Sequence, residues 1–165
     1  MNLSKCVLAV LLCFAPATAP SRAADEAPAV FTASSPVERV VIVRLRNKTD
    51  MLDGLQQAVA REHIRNAVIL SGFGSVTSYH THVVGNMTLP AKNVFTKESG
   101  PFDLTSVGGF IMNGRVHAHI TLANTQKMTG GHLEPGTTVF TFANITLAVV
   151  NGSLDLNRLD DANWH

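Results

Sequence analysis

The chemistry of this chain concentrates in residues 114–136, which hold three of its seven histidines. Residues 116–123 are rich in β-branched and apolar side chains and are flanked by turn formers, a pattern that predicts a β-strand. Side chains two apart on a strand share one face, so we expect His117 and His119 to point the same way. Their Cα atoms should lie about 6–7 Å apart. Two imidazoles can close that separation by leaning toward one metal ion.

A third histidine follows at a spacing that suits the same ion. Residues 124–131 form a polar stretch that ends in Gly130-Gly131, and such a turn can return the chain beside the strand it left. The next residue is His132. Three neutral imidazoles match an open zinc site whose fourth position is left for water or a ligand, and they suit zinc better than magnesium or calcium. The alternative is three unconnected histidines satisfied by backbone hydrogen bonds or solvent.

Alternating strands and one helix must position these histidines. The sequence predicts a strand over residues 37–45, an N-cap within residues 47–50, a helix over 51–63, and strands over 66–70 and 76–84. The glycine-rich residues 71–75 predict either a bulge or a turn between those two strands. His80 and His82 form a second pair on one face. They offer a second metal site or a supplement to the first, but no third ligand follows, so we interpret them as facing solvent or an interface.

The second half of the chain predicts hairpins. Residues 85–101 have the composition of a loop, residues 102–112 that of a strand, and Asn113-Gly114 is a type I′ turn signal that pairs this strand with the histidine strand. A long β run over residues 137–150 precedes a second such signal, Asn151-Gly152, which predicts a hairpin into residues 153–159. Consecutive hairpins indicate antiparallel pairing.

Several of these segments, in this order, resemble the PPC domain ("plants and prokaryotes conserved"). The resemblance runs from residue 37 to about residue 161 and rests on the segments ERVVIVRL, ILSGFGSV, GPFDLTSVGG, VHAHITLA, GGHLEPGTTVFTFANITLAVV and NRLDD. It implies an α/β domain of the α+β type, with a largely antiparallel sheet and one main helix. It also implies a homotrimer, and zinc bound by His117, His119 and His132.

We expect Asp103 or Glu134 to lie beside the ligating imidazoles. Asp103 stands where the family usually places Glu; its carboxylate either orients a ligating imidazole by accepting its second N–H or is a plain surface acid. More remotely, the chain is similar to acetolactate decarboxylase, a zinc enzyme. A zinc-dependent lyase or hydrolase is therefore an alternative to simple binding of a small anionic or carbonyl ligand. In that alternative Arg115 would hold a carboxylate and Glu134 would serve as base.

The N-terminus predicts export. Lys5, an apolar run over residues 6–15, and Ser21 and Ala23 at the −3 and −1 positions are typical of a signal peptide spanning residues 1–23. The apolar run is shorter than the ~20 residues needed to span a bilayer, so no stable membrane insertion is expected after cleavage. We interpret residues 24–36 as a flexible linker and residues 37–162 as one domain, in a periplasmic or secreted protein.

The charge balance argues against nucleic-acid binding. Cleavage after Ala23 would remove Lys5 and Arg22 but no acid, so 13 basic and 12 acidic residues become 11 and 12. Plant PPC proteins join the domain to basic AT-hook segments, and nothing like an AT-hook occurs here. A nearly neutral domain does not supply the phosphate neutralisation on which non-specific DNA affinity depends.

Overall fold

The computed structural model describes residues 28–161, and the signal-peptide prediction lies outside them. Residues 28–36 form neither helix nor strand. The elements that follow are β1 (Val37–Arg46), α1 (Met51–Arg61), β2 (Asn66–Val84), β3 (Asn93–Met112), β4 (Arg115–Ala123), β5 (Met128–Leu133), β6 (Thr138–Val150) and a short 3₁₀ helix (Asn157–Asp160). The expected architecture, a mostly antiparallel sheet with one α-helix, is confirmed.

All strands join one antiparallel sheet in the order β1-β6-β2-β3-β4-β5, and β5 pairs with β2 as well. Strand β2 is long enough to pair with three other strands. One of its edges pairs with β3, while the other pairs with β6 over its first part and with β5 near His82. Strands β2 to β5 therefore form a closed four-stranded unit, and β6 and β1 extend the sheet from it.

The strand predictions need two corrections within β2 and β3. The glycine-rich residues 71–75 do not end a strand: β2 runs through them with register shifts, which is the bulge alternative. The predicted loop over residues 85–101 is too long, because β3 already begins at Asn93. Its first residues, 93–99, pair with residues 78–84 at the end of β2 despite their polar composition.

Helix α1 covers one face of the sheet. Asp50 caps it, because Oδ1 accepts the N–H groups of Leu52 and Asp53 while Oδ2 accepts that of Gly136. The buried residues Met51, Leu55 and Val59 join the core, as the spacing of apolar residues predicts. The side chain of Gln56 donates to the carbonyl of Gly114 and accepts from the N–H of Val116. The helix is thereby attached to the start of β4, the strand that carries His117 and His119.

The two Asn-Gly signals have different outcomes. Asn113 and Gly114 both adopt positive φ and join β3 to β4, as predicted for a type I′ hairpin. After Asn151-Gly152, however, the described residues contain no further strand and end in the 3₁₀ helix, so the second hairpin prediction is wrong. The buried side chain of Asn66 explains the difference. Its Nδ2 donates to the carbonyls of Asn151, Gly152 and Leu154, which satisfies this segment without a strand partner.

Candidate metal centre

Strand register brings three histidines side by side. His119 on β4 lies opposite His132 on β5, and His132 in turn lies opposite His82 on β2. His117 is two residues before His119 and shares its face. Four imidazoles from three adjacent strands therefore gather at one place, where the closed part of the sheet is completed by β5.

The cluster lies on the side of β4 that faces away from the core. Val116, Ala118, Ile120 and Leu122 alternate with the histidines and are buried. The side chains of His82, His117 and His132 retain 18%, 23% and 23% of their accessible surface. These three imidazoles are shielded but still reachable from solvent, and His119 is exposed, so an ion could reach the cluster.

The structure brings together the three histidines that the sequence predicts as ligands. The ring centroids of His117 and His119 are 5.5 Å apart, and that of His132 is 4.8 Å from the first and 5.3 Å from the second. Three imidazoles bound to one ion at about 2.0–2.1 Å from each nitrogen have centroids roughly 5 Å apart. The spacing of the rings therefore fits a shared ion.

His82 belongs to the same cluster, and its interpretation as a solvent or interface residue is corrected. Its ring stacks on His132 with centroids 4.5 Å apart. Ligand atoms of His82, His132 and Glu134 all lie within 4.8 Å of one another; among the described residues this is the set that converges so closely, and it shares His132 with the predicted triad. His80, two residues away, instead places Nδ1 2.8 Å from the carbonyl oxygen of Pro135.

Two carboxylates contact the imidazoles. Oε1 of Glu134 lies 2.6 Å from Nδ1 of His82 and 3.2 Å from Nδ1 of His132. Oδ2 of Asp160 lies 3.2 Å from Nδ1 of His117. A carboxylate that accepts the second N–H of a ligating imidazole fixes its tautomer and orientation. Glu134 and Asp160 occupy this position for His132 and His117.

Asp103 does not lie among these groups. It pairs with Ala123, four residues along β4 from His119, and lines a separate depression beside Phe73 and Phe142. Asp160 contacts the imidazole of His117 instead. It comes from the 3₁₀ helix, which the sequence did not predict, so no sequence signal marked it beyond its place in the NRLDD segment.

Arg115 and Glu134 both border the cluster, but each is already engaged. Arg115 donates to Oδ2 of Asp160 at 2.5 Å, and its side chain remains 65% exposed. Glu134 is held between two imidazoles. The structure therefore provides neither a free cation nor a free carboxylate from these two residues.

Residues 32–151 match the Plants and Prokaryotes Conserved (PCC) domain. The chain belongs to this family. The match includes β1 to β6 and all four clustered histidines, and it confirms the family that the sequence motifs resemble.

Solved structures share the fold of this PCC-domain protein. A metal-containing protein from Archaeoglobus fulgidus superposes with a TM-score of 0.66 at 19% identity, covering 76% of this chain and 89% of that one. A plant- and prokaryote-conserved (PPC) protein from Pyrococcus horikoshii gives 0.61 at 22%, covering 75% and 87%. A candidate DNA-binding protein from Bacteroides thetaiotaomicron gives 0.59 at 17%, covering 70% and 82%. At these identities the likeness shows the fold.

The match to one curated relative covers only a small part of that relative's length. The bifunctional protein GlmU of Synechococcus sp. (strain JA-3-3Ab) is 27% identical over 111 residues, which make up 67% of this chain but only 17% of that protein.

Electrostatics favour the neutral imidazole at two positions of the PCC-domain cluster, His119 and His132. Burial lowers the pKa of His119, and repulsion from His117 and His82 lowers it further. The pKa of His132 is lowered by burial first and then by the same two neighbours, with Glu134 acting in the opposite direction. For Asp160, burial alone would raise the pKa, but the hydrogen bond from Arg115 and the charge of His117 outweigh it and the pKa falls. Neutral imidazoles at His119 and His132 and an ionised Asp160 are protonation states that favour metal binding.

Proposed function

We propose that this PCC-domain protein binds one divalent metal ion, zinc, through His117, His119 and His132. The fourth position of the ion is open to a small anionic or carbonyl ligand. The observation that carries this proposal is the mutual separation of the three rings, 4.8–5.5 Å between centroids on two adjacent strands. Three unrelated histidines, each satisfied by hydrogen bonds of its own, would not need to be spaced in this way.

The chemistry of the donors supports zinc. Imidazole nitrogen suits zinc, whereas magnesium and calcium prefer oxygen ligands. Glu134 and Asp160 supply the outer hydrogen bonds that ligating histidines usually have. One protein of the same fold is described as metal-containing, which agrees with the proposal without identifying the ion.

A binding role is favoured over a lyase or hydrolase role. A hydrolase needs a carboxylate free to take a proton, and a decarboxylase of the acetolactate kind needs a cation free to hold a substrate carboxylate. Glu134 is engaged by two imidazoles and Arg115 by Asp160. Both groups would have to leave these partners before they could act on a substrate.

Duplex DNA is not the proposed ligand, although one protein of the same fold is a candidate DNA-binding protein. The chain carries 13 basic and 12 acidic residues in total, so its net charge is close to zero. Non-specific affinity for DNA comes mainly from phosphates neutralised by Lys and Arg.

Export and assembly complete the proposal. The signal-peptide pattern of residues 1–23 supports a periplasmic or secreted location. Among the described residues, no helix is both long and apolar enough to cross a membrane. The exposed apolar side chains on β1, β2 and β6 support association with other subunits, and the family resemblance implies that the assembly is a homotrimer.

Metal analysis of the purified chain tests the function. We expect one zinc ion per chain after mild chelation and reloading, and none in His132→Ala, because His132 is the central ring of the cluster. His80→Ala is the matched control, since this histidine bonds to a backbone carbonyl instead. Stoichiometric zinc in His132→Ala would overturn the proposal. Nickel or iron in the native protein would keep the site and change the ion.

A further inference from the structure

A three-histidine site leaves His82 without a role, yet its contacts are specific. His82 reaches the same oxygen of Glu134 that contacts His132, and the two Nδ1 atoms lie 2.6 Å and 3.2 Å from that oxygen. His82, Glu134 and His132 thus form a hydrogen-bonded series that runs from β2 to the central histidine of the cluster. Nothing in the spacing of the sequence indicates it.

The shorter distance distinguishes a hydrogen bond from joint coordination. Two ligands of one tetrahedral zinc ion, each about 2.0–2.1 Å from the metal, lie roughly 3.3 Å from each other. The 2.6 Å between Nδ1 of His82 and Oε1 of Glu134 is much shorter than that. It matches a strong N–H···O⁻ hydrogen bond. Nδ1 of His82 therefore carries a proton that it donates to the carboxylate.

We propose that His82 is a positioning residue of the metal centre and acts through Glu134. Its N–H holds the Glu134 carboxylate against Nδ1 of His132. That carboxylate in turn keeps the proton of His132 on Nδ1 and leaves the lone pair of Nε2 for the ion. This inference rests on the proposed function, because it assigns a role to His82 at the same ion.

His82 itself is held firmly enough to orient a partner. Its backbone pairs with His132 across β2 and β5, so the two side chains start from adjacent positions. Its ring packs between His132, at 4.5 Å between centroids, and Phe95, at 5.1 Å. Its side chain retains only 18% of its accessible surface. A side chain with these contacts has few alternative rotamers, and this restriction allows it to fix Glu134.

The test compares zinc affinity among variants of the full mature chain, measured by competition with a chromophoric chelator. We expect His82→Ala to keep one zinc ion per chain but to bind it on the order of 10- to 100-fold more weakly. His82→Asn, which keeps an N–H donor near the position of Nδ1, should restore most of the affinity. His80→Ala, on the same strand and also near Phe95, should leave the affinity unchanged.

Two further measurements separate positioning from other roles. X-ray absorption should show the same number of coordinated imidazoles in His82→Ala as in the wild type. In a Glu134→Ala background, His82→Ala should cause no additional loss of affinity, since the group through which it acts is gone.

Three outcomes would overturn the inference. An unchanged affinity in His82→Ala would make His82 a bystander, and loss of one coordinated imidazole would make it a direct ligand. Additive losses from His82 and Glu134 would show that the two act independently. A wild-type chain that binds no zinc is a different failure, because it removes the proposed function as well.

Discussion

At the scale of single residues, Asp160 links the surface to the metal centre. One oxygen of its carboxylate accepts hydrogen bonds from Arg115, at 2.5 Å, and from Nδ1 of His117, at 3.2 Å. The negative charge both fixes the ring of His117 and strengthens its nitrogen as a ligand. The side chain of Asp160 retains 29% of its accessible surface, so solvent screens this interaction only in part.

Replacing Asp160 by Asn should weaken zinc binding about 10-fold, because an amide keeps the shape but loses the charge. Asp103→Asn provides a matched control, since that residue lines a separate depression and should have no effect on affinity. Chelator competition at pH 7.5 measures both. If Asp103→Asn were the more damaging change, the residue indicated by the family resemblance would be the one that serves the ion.

Zinc affinity should depend on pH in a defined direction. The pKa values of His119 and His132 are lowered, primarily by burial and then by neighbouring imidazoles. Their rings therefore stay neutral below the ordinary histidine pKa of about 6.5. Affinity should be nearly constant from pH 8 down to about 6.5 and should fall only at still lower pH, as protons displace the ion. Competition titrations at several pH values would show this. A steep loss already between pH 8 and 7 would contradict the lowered pKa values.

The sequence predicts part of this centre, and its limit is physical. His117, His119 and His132 could be predicted because period-two spacing and a returning turn are local features. His82 precedes His132 by 50 positions, and only strand register makes them neighbours. The position of Asp160 beside His117 depends on how the segment after β6 folds back onto the sheet. Register over such distances is set by the whole sheet, so spacing alone did not reveal either residue.

At the scale of elements, β5 determines whether the centre forms at all. It lies between β4 and β2 and pairs with both. The turn before it is shorter than predicted: the side chain of Asn124 accepts from the N–H groups of Gln126 and Lys127, and β5 begins at Met128. Gly130 and Gly131 therefore lie within the strand, and they allow the close approach of its two neighbours.

Gly131→Ala should push β5 away from β2. The residue has φ of +150°, and an added Cβ would lie 2.5 Å from the carbonyl oxygen of His82. We expect a loss of about 1–3 kcal/mol in the free energy of unfolding, together with weaker zinc binding, because His132 and His82 would separate. Urea unfolding of the metal-free chain measures the first effect. Gly108→Ala is the control, since a Cβ there meets no atom within 4 Å. Equal stability of the two variants would contradict the claim that Gly131 is needed for the close approach of β5 and β2.

The elements show which local signals suffice. The Asp50 cap, the apolar stripe of α1 and the Asn113-Gly114 turn were all predictable, because each is a short-range pattern supported by the core. The Asn151-Gly152 signal failed because a buried side chain from β2, Asn66, takes up the carbonyls that a hairpin would have used. A tertiary contact thus overrode a local turn signal.

At the scale of the whole molecule, one face of the sheet has no cover among residues 28–161. Helix α1 packs on the side where Val43 and Leu45 of β1 are buried. The opposite side exposes large apolar residues on three neighbouring strands, β1, β6 and β2: Val40, Ile42, Leu70, Phe73 and Phe140. Adjacent exposed apolar residues of this kind are typical of surfaces that associate with another chain.

We predict that the chain is a homotrimer and that this face contributes to its interface. The family resemblance supplies the number of subunits, and the exposed face supplies the physical reason, because symmetric association would remove it from water. Ile42→Glu should shift the protein toward monomers, since it puts a charge on a side chain that is 75% exposed within that face. Met87→Glu, at a fully exposed position between β2 and β3, should leave the assembly intact. Light scattering at micromolar concentration reports the mass of each variant, and a monomeric wild type would remove both the trimer and the role of this face.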